Sequence, residues 1–537
     1  MIRFEGDVEY ILSKAVPEDF KSLFTKKLID EINSKVLLRG VSKKEEGARV
    51  VSYEFLDNLI RLKIRSGSKV RLHHAALRIK NYLAPILGKE FRIGIRDIIL
   101  RNANIILEGS LHVSTSLPIV KEVRIEDKIT IVSLTDLKES ELKRPIIDRL
   151  LKLLDYKEKR AKWGGKVEHW RLIKKSVGKE PKFRDDPNII LEKIGWIKRY
   201  ATGQWLYTPP ITHLLRKFES LFIEVVLKPL GFSEAIFPKM NPLEIGLKTG
   251  HLRGTPHQMF FASQPISYNL EDFDEWIDYV SVLNKADPDH LRNFIKPPTY
   301  FICFAQCEPF YWFFGGEIID RKELPIMWFD RSGPSFRWES GGLRGLERVV
   351  EFHRIEIVWL GEPEQVIEIR NKLLERYEYF MDRVLDIEWR WAWVTPFYLV
   401  HAGEIEEEKE GEIDINRPGT IDFEAWLPYK GSREDPHAWL EIGNISIHGS
   451  KYSEPFRIKH QLKDKIIWTG CSGFGLQRWF LAFLAQKGFD PDNWPAEVRR
   501  RMTRPPRSVR MVTYPKSKDG EKLLEEIELL LSKLPSE

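Results

Sequence analysis

Residues 335–359 read SFRWESGGLRGLERVVEFHRIEIVW, and five residues in them carry a common chemistry. Arg337, Glu339, Arg348, Phe352 and Glu356 fall within twenty residues, with a glycine-rich turn between the first pair and the rest. Arginine presents a planar fork of donors that fits phosphate oxygens, and a phenyl ring can lie against a flat base. The alternation in EFHRIEIV predicts a strand with Phe352, Arg354 and Glu356 on one face and Glu351, His353 and Ile355 on the other. A strand with that polar face makes one wall of a cleft for an anionic ligand.

A second stretch, WTGCSGFGLQR at 468–478, adds Arg478 and a run of glycines that lets backbone come close to a ligand. It also holds one of three cysteines, Cys303, Cys307 and Cys471. Three are too few for a disulfide framework, so packing, metal ligation and nucleophilic chemistry all stay open. No dinucleotide glycine fingerprint and no phosphate-loop lysine motif occurs.

At 537 residues the chain exceeds one core and predicts several domains. No apolar run reaches the roughly 18 residues of a membrane helix, and the N-terminus lacks the order of a signal peptide. The expectation is a cytoplasmic protein with no membrane partner. The net charge of +6 is mild for this length, so a nucleic-acid partner depends on where the charge lies. It lies early. Residues 61–101 hold eleven Lys or Arg against Glu90 and Asp97. LIRLKIR at 59–65 predicts a strand burying Ile60, Leu62 and Ile64, and residues 71–90 predict a helix burying Leu72, Ala76, Ile79 and Leu83. Arg71, Arg78 and Lys80 lie on its polar side, with Arg92 and Arg96 beyond; these five are the candidate contacts to a phosphate backbone. An amphipathic helix is expected over 144–163, and after Trp170 periodicity is lost. The expected domains are an N-terminal one at 1–172, a linker at 173–190, a catalytic domain at 191–515 and a helical tail at 516–537, docked on its own protein.

The ordered set GFSEAIFPKM with Pro238, then FRWE with the downstream phenylalanine, then GFGLQR resembles the three signature motifs of class II aminoacyl-tRNA synthetases. TGHLRG at 249–254, residues 336–356 and DFEAWLP at 422–428 are similar to segments of seryl-tRNA synthetases. Where the common type of that family has Thr-x-Glu, this chain has Ala305, Gln306 and Cys307. A thiol in place of a carboxylate, with Cys471 and the basic N-terminal domain, resembles the methanogen-type, zinc-dependent form.

The resemblance implies an α+β fold, an antiparallel sheet flanked by helices with a separate N-terminal α+β tRNA-binding domain. It implies ATP-dependent activation of serine and transfer to tRNA(Ser) by a homodimer, with no DNA partner. One Zn²⁺ per subunit falls to Cys307, Glu356 and Cys471, with Cys303 as rival ligand, and Mg²⁺ to Glu441 and Asn444. Arg337 and Arg478 become the catalytic arginines. ATP binding falls to these two with Glu339, Arg348, Phe352, Gly473 and Gly475. The amino acid falls to Ala305, Arg354, Phe397, His401, Asn444 and Ser446. Phe397, His401 and Gly443 depart from the family pattern, where tryptophan, glutamine and glutamine are usual, and each bears on the side-chain pocket. Altered specificity for threonine, loading of a carrier protein and a tRNA-binding paralogue that does not charge are the alternative functions.

Overall fold

The computed structural model describes residues 2–108, 117–126, 129–162, 170–338, 343–394, 414–510 and 518–536, with side chains for all but 155–162. The chain divides into two compact units, Met1–Val167 and Glu168–Glu537.

The first unit is built on an antiparallel sheet of β1 (Ile2–Leu12), β2 (Ala48–Leu56), β3 (Leu59–Ser66), β4 (Ile95–Glu108), β5 (Val120–Glu126), β6 (Ile129–Leu134) and β7 (Leu137–Lys138). Their order is β2-β3-β1-β4-β6-β5, with β7 beside β4. On β3 the residues Ile60, Leu62 and Ile64 are buried, as the alternation predicts. The helix α1 (Leu72–Phe91) buries Leu72, Ala76, Ile79, Leu83 and Leu87, one per turn, against that sheet. It stops at Arg92, whose left-handed backbone (φ 55°) lets its N–H donate to the Leu87 carbonyl. A second helix, α2 (Ile146–Lys162), buries Ile147, Leu150, Leu151 and Leu154 in the same core.

The second unit is organised by a nine-stranded sheet: β8 (Trp170–Lys175), β9 (Ser233–Glu234), β10 (Ile326–Asp330), β11 (Pro334–Phe336), β12 (Glu351–Gly361), β13 (Trp389–Val394), β14 (Gly419–Trp426), β15 (Trp439–Gly449) and β16 (Trp468–Gly475). The order is β9-β10-β12-β16-β15-β14-β13-β8, with β11 on β12; the pairs are antiparallel except β9 with β10. One face of the central strands, through Ile355, Ile357, Trp359, Phe474, Ile445 and Ile447, joins a core with α3 (Pro209–Phe222), α5 (Pro363–Tyr379), α6 (Leu476–Lys487) and α7 (Lys518–Leu531). Each large side chain removed from water there contributes about 1.5–3 kcal/mol. A shorter helix, α4 (Glu308–Phe313), starts directly after Cys307. Gly470 is required by this packing, because a Cβ there would stand 2.3 Å from the Trp359 ring.

Two expected boundaries shift. Residues 170–172, expected in the N-terminal domain, and 173–175, expected as the start of the linker, together form β8, an edge strand paired with β13 through Ala392↔Leu172 and Trp393↔Arg171. Short edge strands are polar and charged, so WRLIKK hides its pairing from a periodicity reading. The start of the catalytic unit therefore moves to residue 168. The C-terminal helix docks on its own protein as expected, but as part of the catalytic core: Leu524, Ile527, Leu531 and Leu534 are buried in it.

Candidate active site and metal group

Strand register brings the polar residues of three distant segments onto one face. Arg354 stands opposite Gly475, Glu356 opposite Gly473 and Val358 opposite Cys471 on β12 and β16; Asn444 and Ser446 of β15 stand opposite Gly473 and Cys471. Directly paired residues share a side of the sheet. Arg337, Phe352, Arg354, Glu441, Asn444, Gly473, Gly475 and Arg478 line one cavity, and Gln477 joins them. The Arg478 guanidinium donates to the carbonyls of Glu347 and Glu441, both at 3.0 Å, and lies 3.5 Å from the Glu441 carboxylate. Arg337 stacks on the Phe304 ring at 4.8 Å. Gly473 makes room for Arg354, since a Cβ there would press on Arg354 Cδ at 3.1 Å.

Of the predicted ATP residues, Arg337, Phe352, Gly473, Gly475 and Arg478 therefore come together. Arg348 is exposed on a tight turn closed by paired backbone hydrogen bonds with Arg344, and does not line the cavity. Glu339, Phe397 and His401 lie outside the described residues. Ser446 is buried with its hydroxyl on that of Thr420 (2.8 Å). Ala305 packs, half-buried, against the apolar clusters around Phe310 and Phe301. Gly443 lines the cavity with no room for a side chain: a Cβ would fall 2.5 Å from the Gly473 carbonyl oxygen.

Cys307, Glu356 and Cys471 each offer a ligand atom, all within 4.8 Å of one another. Their placement is braced from behind. Fully buried Glu308 accepts hydrogen bonds from Thr249 (3.0 Å) and Asn241 (3.0 Å) and lies 2.6 Å from His251 Nδ1, which gives the TGHLRG stretch a structural role beside Cys307. Gln306 donates to Asp330 (2.6 Å) and accepts from Ser335 (3.1 Å). Cys303 is turned to Ser335 instead (3.7 Å), and burial pushes its thiol up to about 12; it stands outside the ligand group.

The electrostatics of the group ask for a cation. Hydrogen bonding with Cys471, then burial, hold the Cys307 thiol well above its usual range, and the negative charges of Cys471 and Glu356 add to this. Burial raises the Glu356 carboxyl against the opposing pull of Arg354. Arg354 Nε lies 2.9 Å from Glu356 Oε2, yet that buried oxygen has no well-directed hydrogen bond. Two thiols and a carboxylate with a spare lone pair are a donor set that fits a borderline-soft divalent ion. A second group in the first unit, His73, His74 and Asp148, also gathers ligand atoms. There the Arg71 guanidinium sits on Asp148 and opposes a cation.

Three residues of the site went unread in the sequence. Gln477 accepts from the His353 backbone N–H (3.0 Å) and fixes the start of β12. Glu308 looks like an ordinary helix-start acid. His448 reaches Cys471; the alternation of Asn444, Ser446 and His448 was visible, but not the strand it would face.

The basic run in the first unit is largely balanced by acids from other segments. Arg61 and Arg101 share Glu9, Arg65 pairs with Glu5, Lys69 with Glu46, Arg71 with Asp148 and Lys80 with Glu139 (2.6 Å). Arg78 is held by the carbonyls of Val36 and Arg39, which leave its charge uncompensated. Lys63, Lys89, Arg92 and Arg96 are exposed with no ion pair among the described residues. The unneutralised candidates are thus Arg78, Arg92 and Arg96, whereas Arg71 and Lys80 are committed to struts between α1 and the 139–148 segment.

Residues 2–156 match a family model described as a tRNA-binding domain, and residues 299–487 match the class II core domain of tRNA synthetases for G, H, P, S and T. The chain is 42% identical over 486 residues to a type-2 serine–tRNA ligase of Methanococcoides burtonii, covering 90% of this chain and 94% of that one. With its namesake in Methanocaldococcus jannaschii it shares 37% identity, covering 96% and 99%. Among solved structures it resembles the M. kandleri SerRS crystallised with A. aeolicus tRNASec, with a TM-score of 0.78 at 32% identity, covering 96% of this chain and all of that one.

Proposed function

Since the chain belongs to the type-2 serine–tRNA ligase family and is an aminoacyl-tRNA ligase, we propose that it activates L-serine with ATP and transfers it to tRNA(Ser), using a zinc ion at Cys307, Glu356 and Cys471. The observation that carries this reading is the meeting of those three ligand atoms on the same sheet face as the arginine-lined cavity. A zinc ion held by Cys307, Glu356 and Cys471 would supply a Lewis acid able to take the free α-amino group of the substrate, and so would select for it.

The chain's own residues do the rest by position and charge. Arg354, largely buried but open to the cavity, stays charged because Glu356 and the neighbouring thiols outweigh its desolvation; it faces the substrate carboxylate as that group approaches the α-phosphorus. Arg337 neutralises charge building on the α-phosphate during in-line displacement of pyrophosphate. Arg478 leaves its carbonyl partners for the bent triphosphate and, with Phe352, brackets the adenine. Glu441 and Asn444 offer the oxygen ligands Mg²⁺ takes. Donors already aimed into the cavity, as Arg337 and Arg354 are, need little reorganisation, and removing one typically costs a factor of about 10²–10³ in rate. The 3′-terminal hydroxyl of tRNA then attacks the mixed anhydride. The match at residues 2–156 favours a tRNA acceptor over a carrier protein.

A homodimer fits the apolar surface around Pro238, where Ile236 is 82% and Met240 58% exposed. Among the described residues no helix is long and apolar enough to cross a membrane, and a translation enzyme of this class works in the cytoplasm. The deciding experiment is ATP/pyrophosphate exchange with serine, threonine, alanine or glycine, with and without a zinc chelator. Serine alone should drive exchange, and chelation should abolish it until zinc is restored. Exchange that ignores chelation removes the zinc, and exchange led by another amino acid removes the serine assignment.

A further inference from the structure

The buried imidazole of His448, on β15 two residues beyond Ser446, has no part in the reaction described so far. Its Nε2 lies 3.4 Å from Cys471 Sγ; its Nδ1 lies 3.1 Å from the Thr469 hydroxyl and 3.5 Å from that of Tyr311. The ring is also walled by Tyr452, edge-on at 4.7 Å. A neutral imidazole has one donor and one acceptor nitrogen. Two hydroxyls that can donate face Nδ1; with Nδ1 accepting from them, the ring proton stands on Nε2, facing sulfur.

We propose that His448 is a positioning residue for the metal centre: its Nε2–H donates to the Cys471 thiolate, while Thr469 and Tyr311 fix the tautomer that makes this possible. The proposal rests on the zinc reading above. Two thiolates and a carboxylate give a divalent ion one negative charge too many. A hydrogen bond to one thiolate draws off part of that charge, orients the sulfur lone pairs and leaves the ion readier to accept a neutral amine. The ligand atoms that gather within 4.8 Å of one another are those of Cys307, Glu356 and Cys471, without His448, which favours a support for a ligand over a ligand.

The test uses the full-length chain as purified, with metal content and Zn²⁺ competition against a chromophoric chelator, and with Co²⁺ substituted for its thiolate charge-transfer band. The unaltered protein should hold one metal per chain. His448→Leu should weaken zinc by 10–100-fold, the usual effect of losing such a support, and shift the cobalt band. His448→Gln, which restores an N–H donor, should recover most of both. Thr469→Val, which leaves the ring in place but frees its tautomer, should give a smaller loss in the same direction, with circular dichroism confirming that each variant folds. If the unaltered protein holds no metal, the zinc reading falls and this proposal with it. If it holds metal and His448→Leu keeps the affinity and the band, only the proposal falls. If His448→Gln is as impaired as His448→Leu and X-ray absorption shows one nitrogen ligand lost, His448 is itself a ligand and the positioning role is refuted.

Discussion

Replacing Arg92 and Arg96 should uncouple tRNA charging from amino-acid activation, and replacing Lys80 should not. The first two are exposed cations without an acidic partner among the described residues, whereas Lys80 Nζ is 2.6 Å from Glu139. A cation about 4 Å from a phosphate in water contributes about 1 kcal/mol. Losing two such contacts should therefore weaken tRNA binding about 30-fold. Each lost phosphate contact should also reduce the slope of log affinity against log salt by about 0.7–0.9. The variant is Arg92→Asn with Arg96→Gln, asparagine being chosen because residue 92 has a φ of 55°. Filter binding of tRNA across a salt series gives the affinity and the slope, and ATP/pyrophosphate exchange reports on the catalytic unit. The expected result is weaker binding, a shallower slope and unchanged exchange. Lys80→Gln should instead lower the thermal stability of the first unit, since it takes a partner from the half-buried Glu139, and leave the salt slope alone. A Lys80→Gln protein with normal stability and the larger loss of tRNA affinity would refute the charge balance argued here.

Two further outcomes test the catalytic unit. Gly443→Ala should cost about 1–3 kcal/mol, the range for forcing an extra carbon into packed structure, because its Cβ would meet the Gly473 carbonyl at 2.5 Å; the two strands must part, Asn444 moves, and KM for ATP should rise, whereas unchanged KM and unfolding midpoint would show slack between β15 and β16. His353, which burial and then Arg216 push down to about 4, is protonated more readily in the unfolded chain, near 6.5, so its contribution to stability is present above pH 6.5 and is lost as pH falls towards 4. That loss should reach about 2 kcal/mol at pH 5. Urea unfolding at pH 7.5 and 5.0 followed by tryptophan fluorescence reads it, since every tryptophan but Trp163 lies in the second unit; His353→Gln should remove that share of the acid sensitivity, and an unaltered pH difference would rule the assignment out.

What was legible in the sequence is what depends on neighbours along the chain. Strand alternation put Phe352, Arg354 and Glu356 on one face, helical spacing put Leu72, Ile79 and Leu83 on another, and the ordered motifs pointed to the class II core. Cys307, Glu356 and Cys471 were named as a set through family resemblance, not through any property of the residues between them. Only tertiary structure decided the rest. A strand's periodicity says which residues share a face but not which strand lies beside it, so the pairing of β12, β16 and β15, and the reach of His448 to Cys471, could not be read. The polar edge strand Trp170–Lys175 has little apolar alternation to betray it. Charge behaves in the same way: a local count makes residues 61–101 a basic surface, but Glu9, Glu46, Glu139 and Asp148 come from other segments to neutralise much of it. Coulombic pairing depends on distance in space, and folding alone sets that distance.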